Sequence, residues 1–360
     1  MTREDLSFTY TEQITFALRQ LYHQYGYTQY RMSKFEEYEL YARNKNFLVS
    51  EHILTFTDTD GKLLALKPDV TLSILKNSQD NSQSLQKVYY NENVYRTAPA
   101  SHGYREIMQV GLECIGHLDD CAVCEVVELA ARSLEAIHED YLLDLSHMGI
   151  VSGLLDAMGL DDRREILSLI EAKNVPSITA LCQAAGIQPH YTELLCSLME
   201  LYGTPAQVLP ALEAMAINEP MADALSELRQ LCSLLAPYQE HLRLDFSIVN
   251  DMNYYNGIIF RGYLPGLASG VLAGGQYDNL VQRMGKSGQA IGFAVYMDQL
   301  ERFERMEQTY DVDILLLYSP DTDPETVSES ANVLRQQGNS VRVERSIPAG
   351  LRCRECRKVE

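Results

Sequence analysis

The fold of this chain is decided by residues 86–116, which read QKVYYNENVYRTAPASHGYREIMQVGLECIG. The two ends of this stretch, residues 86–96 and 105–116, are rich in apolar, β-branched and aromatic side chains, which favour strands. The segment between them, TAPASHGY, contains Pro and Gly, which are typical of turns. We therefore predict an antiparallel hairpin of two long strands.

The second strand of this hairpin has one polar and one apolar face. Because side chains alternate along a strand, Gln109, Gly111 and Glu113 share a face. The opposite face consists of Met108, Val110, Leu112 and Cys114. An unpaired buried carboxylate is costly, so a core strand with Gln and Glu on one face predicts a pocket there.

The composition restricts the class of protein. The chain has 360 residues with a formal net charge of -20, from 50 acidic and 30 basic residues. This charge repels phosphate backbones and weighs against nucleic-acid binding. No apolar run approaches the roughly 20 residues of a membrane span, and the polar N-terminus does not read as a signal peptide. We expect a cytoplasmic protein with reduced cysteines.

The segments around the hairpin predict mixed secondary structure. Residues 8–26 have helical apolar spacing, residues 63–77 couple a short strand to a helix that begins after Pro68, and residues 121–138 are helical. Between 150 and 240, short Leu- and Ala-rich helices alternate with Gly, Pro and Asn breaks. Strands return in RLDFSIV, YYNGIIFRGYL and GVLAGG, and residues 312–344 read as a β-α-β unit followed by an Arg-rich tail.

Two CxxC pairs raise the alternative of a zinc site. Cys121 and Cys124 lie in a predicted helix, and Cys353 and Cys356 lie in the Arg-rich tail. Together they would form a four-cysteine site. The remaining His and Cys residues have no matching spacing, so we favour ordinary thiols on a helix and in a loose tail, with no metal.

Three segments, in this order, resemble class II aminoacyl-tRNA synthetases and among them histidyl-tRNA synthetase. KPDVT (67–71) is similar to the synthetase's Arg-Pro-Glu-x-Thr segment, and VYRTA…REIMQVGLECIG resembles its motif 2 hairpin. NYYNGIIFRGY followed by GGQYDNL resembles its histidine-specific segments. The resemblance covers about residues 8–305.

This resemblance implies an α+β fold, in which a class II synthetase-like antiparallel sheet is flanked by helices. The implied domains are a core of residues 1–149 and 241–308, a helical insertion of residues 150–240, and a short C-terminal β-α-β remnant of residues 309–360. The remnant is too small to be the synthetase's complete C-terminal domain, which together with the acidic charge argues against tRNA binding.

The resemblance also implies a histidine pocket. The implied histidine-binding residues are Asp69, Thr71, Arg96, Gln109, Glu113, Tyr254 and Tyr255. Asp69 stands where a Glu meets the α-ammonium group, and Arg96 is placed to neutralise the α-carboxylate. The two tyrosines match a pair beside the imidazole. The alternative is that these residues are satisfied polar groups of an inherited core.

The chain departs from the synthetase pattern where ATP is bound. Ala98 replaces a Glu of motif 2, Asn250 replaces a catalytic Arg, and Asn253 replaces an Asp. In motif 3, Tyr296 replaces a Gly that leaves room for the nucleotide, and Gln299 replaces an ATP-binding Arg. Neutral side chains do not supply the charge that stabilises a phosphoryl transition state, so we expect adenylate formation to be lost and predict no catalytic residues and no cofactor.

A kept fold and amino-acid pocket with lost ATP chemistry is typical of the regulatory subunits of ATP phosphoribosyltransferase. This resemblance implies a short-form catalytic subunit as partner, free histidine as effector and, despite Ser33 in place of the usual motif 1 Pro, self-association as a dimer. Three alternatives stay open: another class II-like amino-acid sensor, an active histidyl-tRNA synthetase, and a new enzyme in the old pocket. A neighbouring gene for a short ATP phosphoribosyltransferase would favour the regulatory subunit.

Overall fold

A computed structural model of the protein describes residues 8–45, 48, 52–79, 84–97, 103–160, 163–249, 254–301 and 310–359. The chain forms two compact units, one of Ile14–Gln299 and one of Met1–Gln13 with Leu300–Glu360. Across these described ranges, no helix is both long and apolar enough to cross a membrane.

The elements follow the predicted order. The helices are α1 Tyr10–Gln24, α2 Tyr38–Arg43, α3 Thr71–Asn77, α4 Asp120–Ile137, α5 Met148–Met158, α6 Arg164–Glu171, α7 Val175–Ala184, α8 Pro189–Glu200, α9 Pro205–Met215, α10 Glu219–Leu234, α11 Asp278–Arg283 and α12 Pro324–Gln336. The strands are β1 Thr28–Gln29, β2 Phe35–Glu37, β3 Thr55–Thr57, β4 Leu63–Leu66, β5 Gln86–Thr97, β6 Tyr104–Gly116, β7 Leu142–His147, β8 Tyr202–Gly203, β9 Leu242–Asp245, β10 Ile258–Tyr263, β11 Leu272–Gln276, β12 Gln289–Tyr296, β13 Val312–Leu317, β14 Val341–Glu344 and β15 Cys353–Lys358.

A nine-stranded sheet organises the larger unit. Its order is β1-β5-β6-β12-β11-β10-β7-β9-β8, and it is antiparallel except where β1 pairs with β5 and β7 pairs with β9. The hairpin predicted from the sequence is confirmed, because β5 and β6 pair antiparallel from Gln86 opposite Ile115 to Thr97 opposite Tyr104. The α+β class with a mostly antiparallel sheet is therefore confirmed.

The sequence of α4 contains both a capping residue and the apolar spacing of a helix that packs on a core. The Asp119 Oδ1 accepts a hydrogen bond from the Ala122 amide at 2.8 Å and thereby caps the first turn. The following Val, Leu and Ala residues recur at helical spacing and are buried, including Val126, Leu129 and Leu134. One face of the helix thus packs into the core, and α4 contacts both β10 and β12 of the sheet.

The prediction that the segment from 150 to 240 is all helical is wrong. Helices α6 to α10 fall within it, but the two-residue strand β8 pairs with β9 and extends the edge of the large sheet. Helix α5 begins at Met148 and packs on α10. The separation of this segment from the core as an insertion stays a prediction.

The prediction of a loose C-terminal tail is wrong. Strand β15 lies within the Arg-rich tail and pairs parallel with β13, whose other neighbour is β14. The basic side chains do not prevent pairing because Arg352 and Arg354 reach Asp311 and Asp313 at 3.0 and 3.1 Å. The unit is therefore a three-stranded parallel sheet, and Ile314 and Leu316 pack with Leu334 of α12.

Candidate functional site

The register of three neighbouring strands, β6, β12 and β11, forms the floor of the site. Glu113 on β6 lies opposite Gly292 on β12, and Gly292 lies opposite Gly275 on β11. A Cβ at position 292 would overlap the Glu113 carboxylate, and one at position 275 would stand 2.7 Å from the Tyr255 ring. The two glycines therefore leave the space that the Glu113 and Tyr255 side chains occupy.

A cavity of about 430 Å³ lies over this floor. All seven residues that the sequence predicted for histidine binding line it: Asp69, Thr71, Arg96, Gln109, Glu113, Tyr254 and Tyr255. Their positions come from four different segments of the chain. The cavity volume falls in the range of about 300–1,000 Å³ that is usual for small-molecule pockets.

Glu113 is the most buried acid of the cavity, with 2% of its surface exposed. Its Oε1 accepts a hydrogen bond from the Thr71 hydroxyl at 2.8 Å, and its Oε2 accepts one from the Tyr277 hydroxyl at 2.5 Å. Burial raises the pKa of Glu113 to about 8, and the two hydrogen bonds oppose this rise only partly. The raised pKa favours the neutral form of Glu113 at pH 7, and a cationic ligand group would favour its ionised form.

A second acid, Asp69, lies near the guanidinium group of Arg96 on the cavity wall. The Asp69 Oδ1 accepts a hydrogen bond from the Leu72 amide at 2.9 Å, in the first turn of α3. Burial raises the pKa of Asp69, and the Leu72 amide and the charge of Arg96 oppose the rise. The Arg96 Nε donates to the Pro68 carbonyl at 2.8 Å, which holds the side chain beside Asp69. A carboxylate next to a guanidinium is complementary to the two charges of a free α-amino acid.

Aromatic rings form another wall. The ring centroids of Tyr254 and Tyr255 are 4.5 Å apart, and those of Tyr254 and Tyr277 are 5.8 Å apart. Burial raises the pKa of all three phenols well above the ordinary value, so they remain neutral hydrogen-bonding groups. These rings suit a flat, partly polar side chain such as an imidazole.

Among the polar residues that line the cavity, sequence reasoning missed three as site residues. Tyr277 and Tyr90 line it, although neither was predicted as a site residue. The GGQYDNL segment contained the signal for Tyr277, which lies two positions after Gly275 of β11. Glu171 also lines the cavity, and its position at the end of α6, in the segment 150–240, carried no sequence signal for a site.

Two of the residues that depart from the synthetase pattern can be located. Tyr296 ends β12 and lines the cavity, opposite Gln109. Gln299 accepts a hydrogen bond from the Ser269 hydroxyl at 3.0 Å and donates one to Asp298 at 3.0 Å. The other departures, Ala98, Asn250 and Asn253, lie outside the described residues.

The cysteine pairs have the geometry of ordinary thiols. Cys353 and Cys356 are three positions apart on β15 and therefore point to opposite faces of the strand. Within the ranges of the chain that the structure describes, no three His, Cys, Asp or Glu side chains are grouped to hold a metal ion.

The fold and the cavity define a class II synthetase-like protein of the histidyl type. A family model described as histidyl-tRNA synthetase matches residues 6–300. A solved structure from Bacillus halodurans, described as an ATP phosphoribosyltransferase regulatory subunit/histidyl-tRNA synthetase, superimposes with a TM-score of 0.72. The superposition covers 97% of this chain and 93% of the Bacillus halodurans chain, with 23% sequence identity. This likeness supports the assignment of the fold.

Sequence relatives narrow the class. The chain is 30% identical to an ATP phosphoribosyltransferase regulatory subunit of Caldanaerobacter subterraneus, over 90% of this chain and 87% of the relative. It is 29% identical to an ATP phosphoribosyltransferase regulatory subunit of Alkaliphilus metalliredigens, over 88% of this chain and 84% of the relative. The chain belongs to the family of ATP phosphoribosyltransferase regulatory subunits, within the histidyl-tRNA synthetase-like proteins.

Proposed function

We propose that this chain is a non-catalytic regulatory subunit that activates a short-form ATP phosphoribosyltransferase and carries histidine feedback on the first step of histidine biosynthesis. One observation carries the proposal. All seven histidine-binding residues implied by the family line a single cavity, in a chain that is about 30% identical to regulatory subunits over most of its length.

The cavity suits a free amino acid with a flat side chain. Asp69 and Arg96 offer opposite charges for the ammonium and carboxylate groups. Glu113, held by Thr71 and Tyr277, offers an acceptor once it is ionised. The rings of Tyr254 and Tyr255 lie on the same cavity wall. Histidine, the end product of the pathway, has this combination of groups.

The synthetase reaction is proposed to be lost. The Tyr296 side chain lines the cavity where the synthetase pattern has a Gly, and Gln299 is neutral where that pattern has an Arg. Removing one preorganised donor to a developing negative charge typically costs about 3–4 kcal/mol of transition-state stabilisation. We propose that the protein acts in the cytoplasm, as a dimer within the complex, and does not bind tRNA.

Regulation follows if histidine binds two states of the assembly with different affinity. A coupling of about 1–3 kcal/mol would change the affinity several-fold to a hundredfold. By reciprocity, assembly with the catalytic subunit would change the histidine affinity of this chain by the same factor. The pocket then has a use although the ancestral chemistry is gone.

The test is to mix this purified chain with its cognate short-form catalytic subunit and to follow formation of phosphoribosyl-ATP. We expect the chain to raise the activity and histidine to inhibit the mixture. Glu113→Ala should assemble normally and lose histidine inhibition, while Glu193→Ala, which removes an exposed carboxylate on α8, should retain it. Equal activity and equal histidine sensitivity of the catalytic subunit alone would refute the proposal.

An amino-acid sensor of another pathway is the main alternative. Such a sensor would bind a free amino acid without changing the activity of the catalytic subunit. Calorimetry on the chain alone, combined with the activity of the mixture, separates the two functions. Binding with no effect on activity would favour the sensor.

A further inference from the structure

Glu171 contributes a charge to the cavity from outside the predicted site. It is the last residue of α6 and lines the cavity with the predicted residues. Within the described ranges its ion-pair partner is Arg261 on β10, at 4.0 Å between Nη2 and Oε1. That distance is too long for a hydrogen bond. Arg261 also lies opposite the buried Asp144 in the pairing of β10 with β7, so its charge is shared.

The turn after Glu171 is held firmly to the sheet. The Lys173 Nζ donates to the Asp245 Oδ2 on β9 at 2.9 Å and lies 5.4 Å from the centre of the Tyr202 ring. The Lys173 backbone has a φ of 50°, which a residue with a side chain adopts only when its surroundings impose it. The surroundings of this turn therefore fix the position of Glu171 at the cavity.

The charges that line the cavity are unequal. Asp69 and Glu171 are acidic and Arg96 is basic, while Glu113 carries a carboxyl group whose pKa is raised to about 8. The adjacent Asp69 and Arg96 match the two charges of any free α-amino acid, so they do not distinguish one amino acid from another. Within the described ranges the counter-charge of Glu171 is Arg261 at 4.0 Å, which also faces Asp144, and 56% of the Glu171 side chain is exposed. This loosely held carboxylate is placed to interact with the side chain of the ligand.

We propose that Glu171 is a specificity-determining residue of the cavity, which selects a free amino acid with a positively charged side chain. This inference rests on the proposed function and adds the charge state of the effector. Histidine would then bind preferentially as the imidazolium form. Helix α6, which supplies Glu171, lies in the segment 150–240 that was predicted to be an insertion separate from the core. It would nevertheless take part in ligand recognition.

The test is calorimetric titration of the full chain with L-histidine at pH 6 and pH 8. Glu171→Gln should lower the affinity about fivefold at pH 6, as expected for a partly exposed ion pair, and much less at pH 8. Glu165→Gln, which removes an exposed charge on the same helix, should change neither value. Glu113, Arg261, Lys173 and Asp245 are common to all three proteins, so the ratio of affinities isolates the charge of Glu171.

An equal loss at both pH values would contradict selection of a charged side chain, and so would an unchanged affinity. Tighter binding of a neutral amino acid such as L-phenylalanine than of L-histidine at pH 6 would overturn the inference as well. The absence of histidine binding at either pH would also overturn it. The proposed function is judged separately, by activation of the catalytic subunit, and activation combined with an unchanged Glu171→Gln affinity would reject this inference alone.

Discussion

Gly292 on β12 lies directly opposite Glu113 on β6, and any side chain at position 292 would occupy the space of the Glu113 carboxylate. This pairing explains how a long acidic side chain is accommodated over a sheet in a buried position. It also places the carboxylate against the Thr71 and Tyr277 hydroxyls. The position of the acid thus depends on a glycine that lies about 180 residues further along the chain.

Replacement of this glycine should affect both stability and binding. We expect Gly292→Ala to lower the free energy of unfolding by about 1–3 kcal/mol, because the added methyl group overlaps the Glu113 carboxylate and approaches the Leu112 carbonyl. Urea unfolding measures this change. Adding Glu113→Ala should recover part of the loss, since the carboxylate is removed while the Leu112 carbonyl remains. A double variant whose loss equals the sum of the two single losses would show that the contact is unimportant.

Glu113 should make stability depend on pH. Its pKa in the folded protein is about 8, above the ordinary value of 4.5, so the folded state binds the extra proton. The stability from this group is therefore complete below about pH 4.5 and is lost as the pH rises through 8. Glu113→Gln imitates the protonated acid and should be more stable than the native chain at pH 9, by an amount on the order of a few kcal/mol. The difference should vanish towards pH 5, and a difference that does not vary with pH would contradict the raised pKa.

The chain should not activate histidine. We propose that neutral Gln299 and the bulk of Tyr296, at positions where the synthetase pattern has an Arg and a Gly, remove charge and space that adenylate formation requires. Pyrophosphate exchange with histidine and ATP should remain at background, with an authentic histidyl-tRNA synthetase as positive control. Histidine-dependent exchange above background would indicate that the synthetase reaction has been retained.

The stability of the C-terminal unit should depend more on the buried side chains of β13 than on its ion pairs. Leu315 on β13 is fully buried, so Leu315→Ala should lower the free energy of unfolding of this unit by about 2–5 kcal/mol. Arg354→Ala removes a half-exposed pair with Asp313 and should cost less than about 1 kcal/mol. Hydrogen exchange of the amides of residues 312–317 reports on this unit. Similar losses of protection in both variants would contradict the argument.

Several parts of the fold could be predicted because they depend on local patterns. The alternation in REIMQVGLECIG was sufficient to place Gln109 and Glu113 on one face, and both side chains line the cavity. The proline of KPDVT marked the start of a helix, and α3 begins three residues later at Thr71. The tail after residue 345 could not be predicted in this way, because β15 exposes most of its side chains and has no alternation.

The sequence by itself determined the hairpin, because periodicity is a property of the chain, and its resemblance to histidyl-tRNA synthetase implied the class of fold and the seven residues of the candidate site. Only the tertiary structure decided that Glu171 of α6 lines the same cavity and that Tyr277 bonds to Glu113. Glu113 and Tyr277 are 164 positions apart, and Glu171 has no distinguishing neighbours in the sequence. The reason is physical: strand register and the path of the helices bring distant residues within hydrogen-bonding or electrostatic reach, and neither leaves a local pattern.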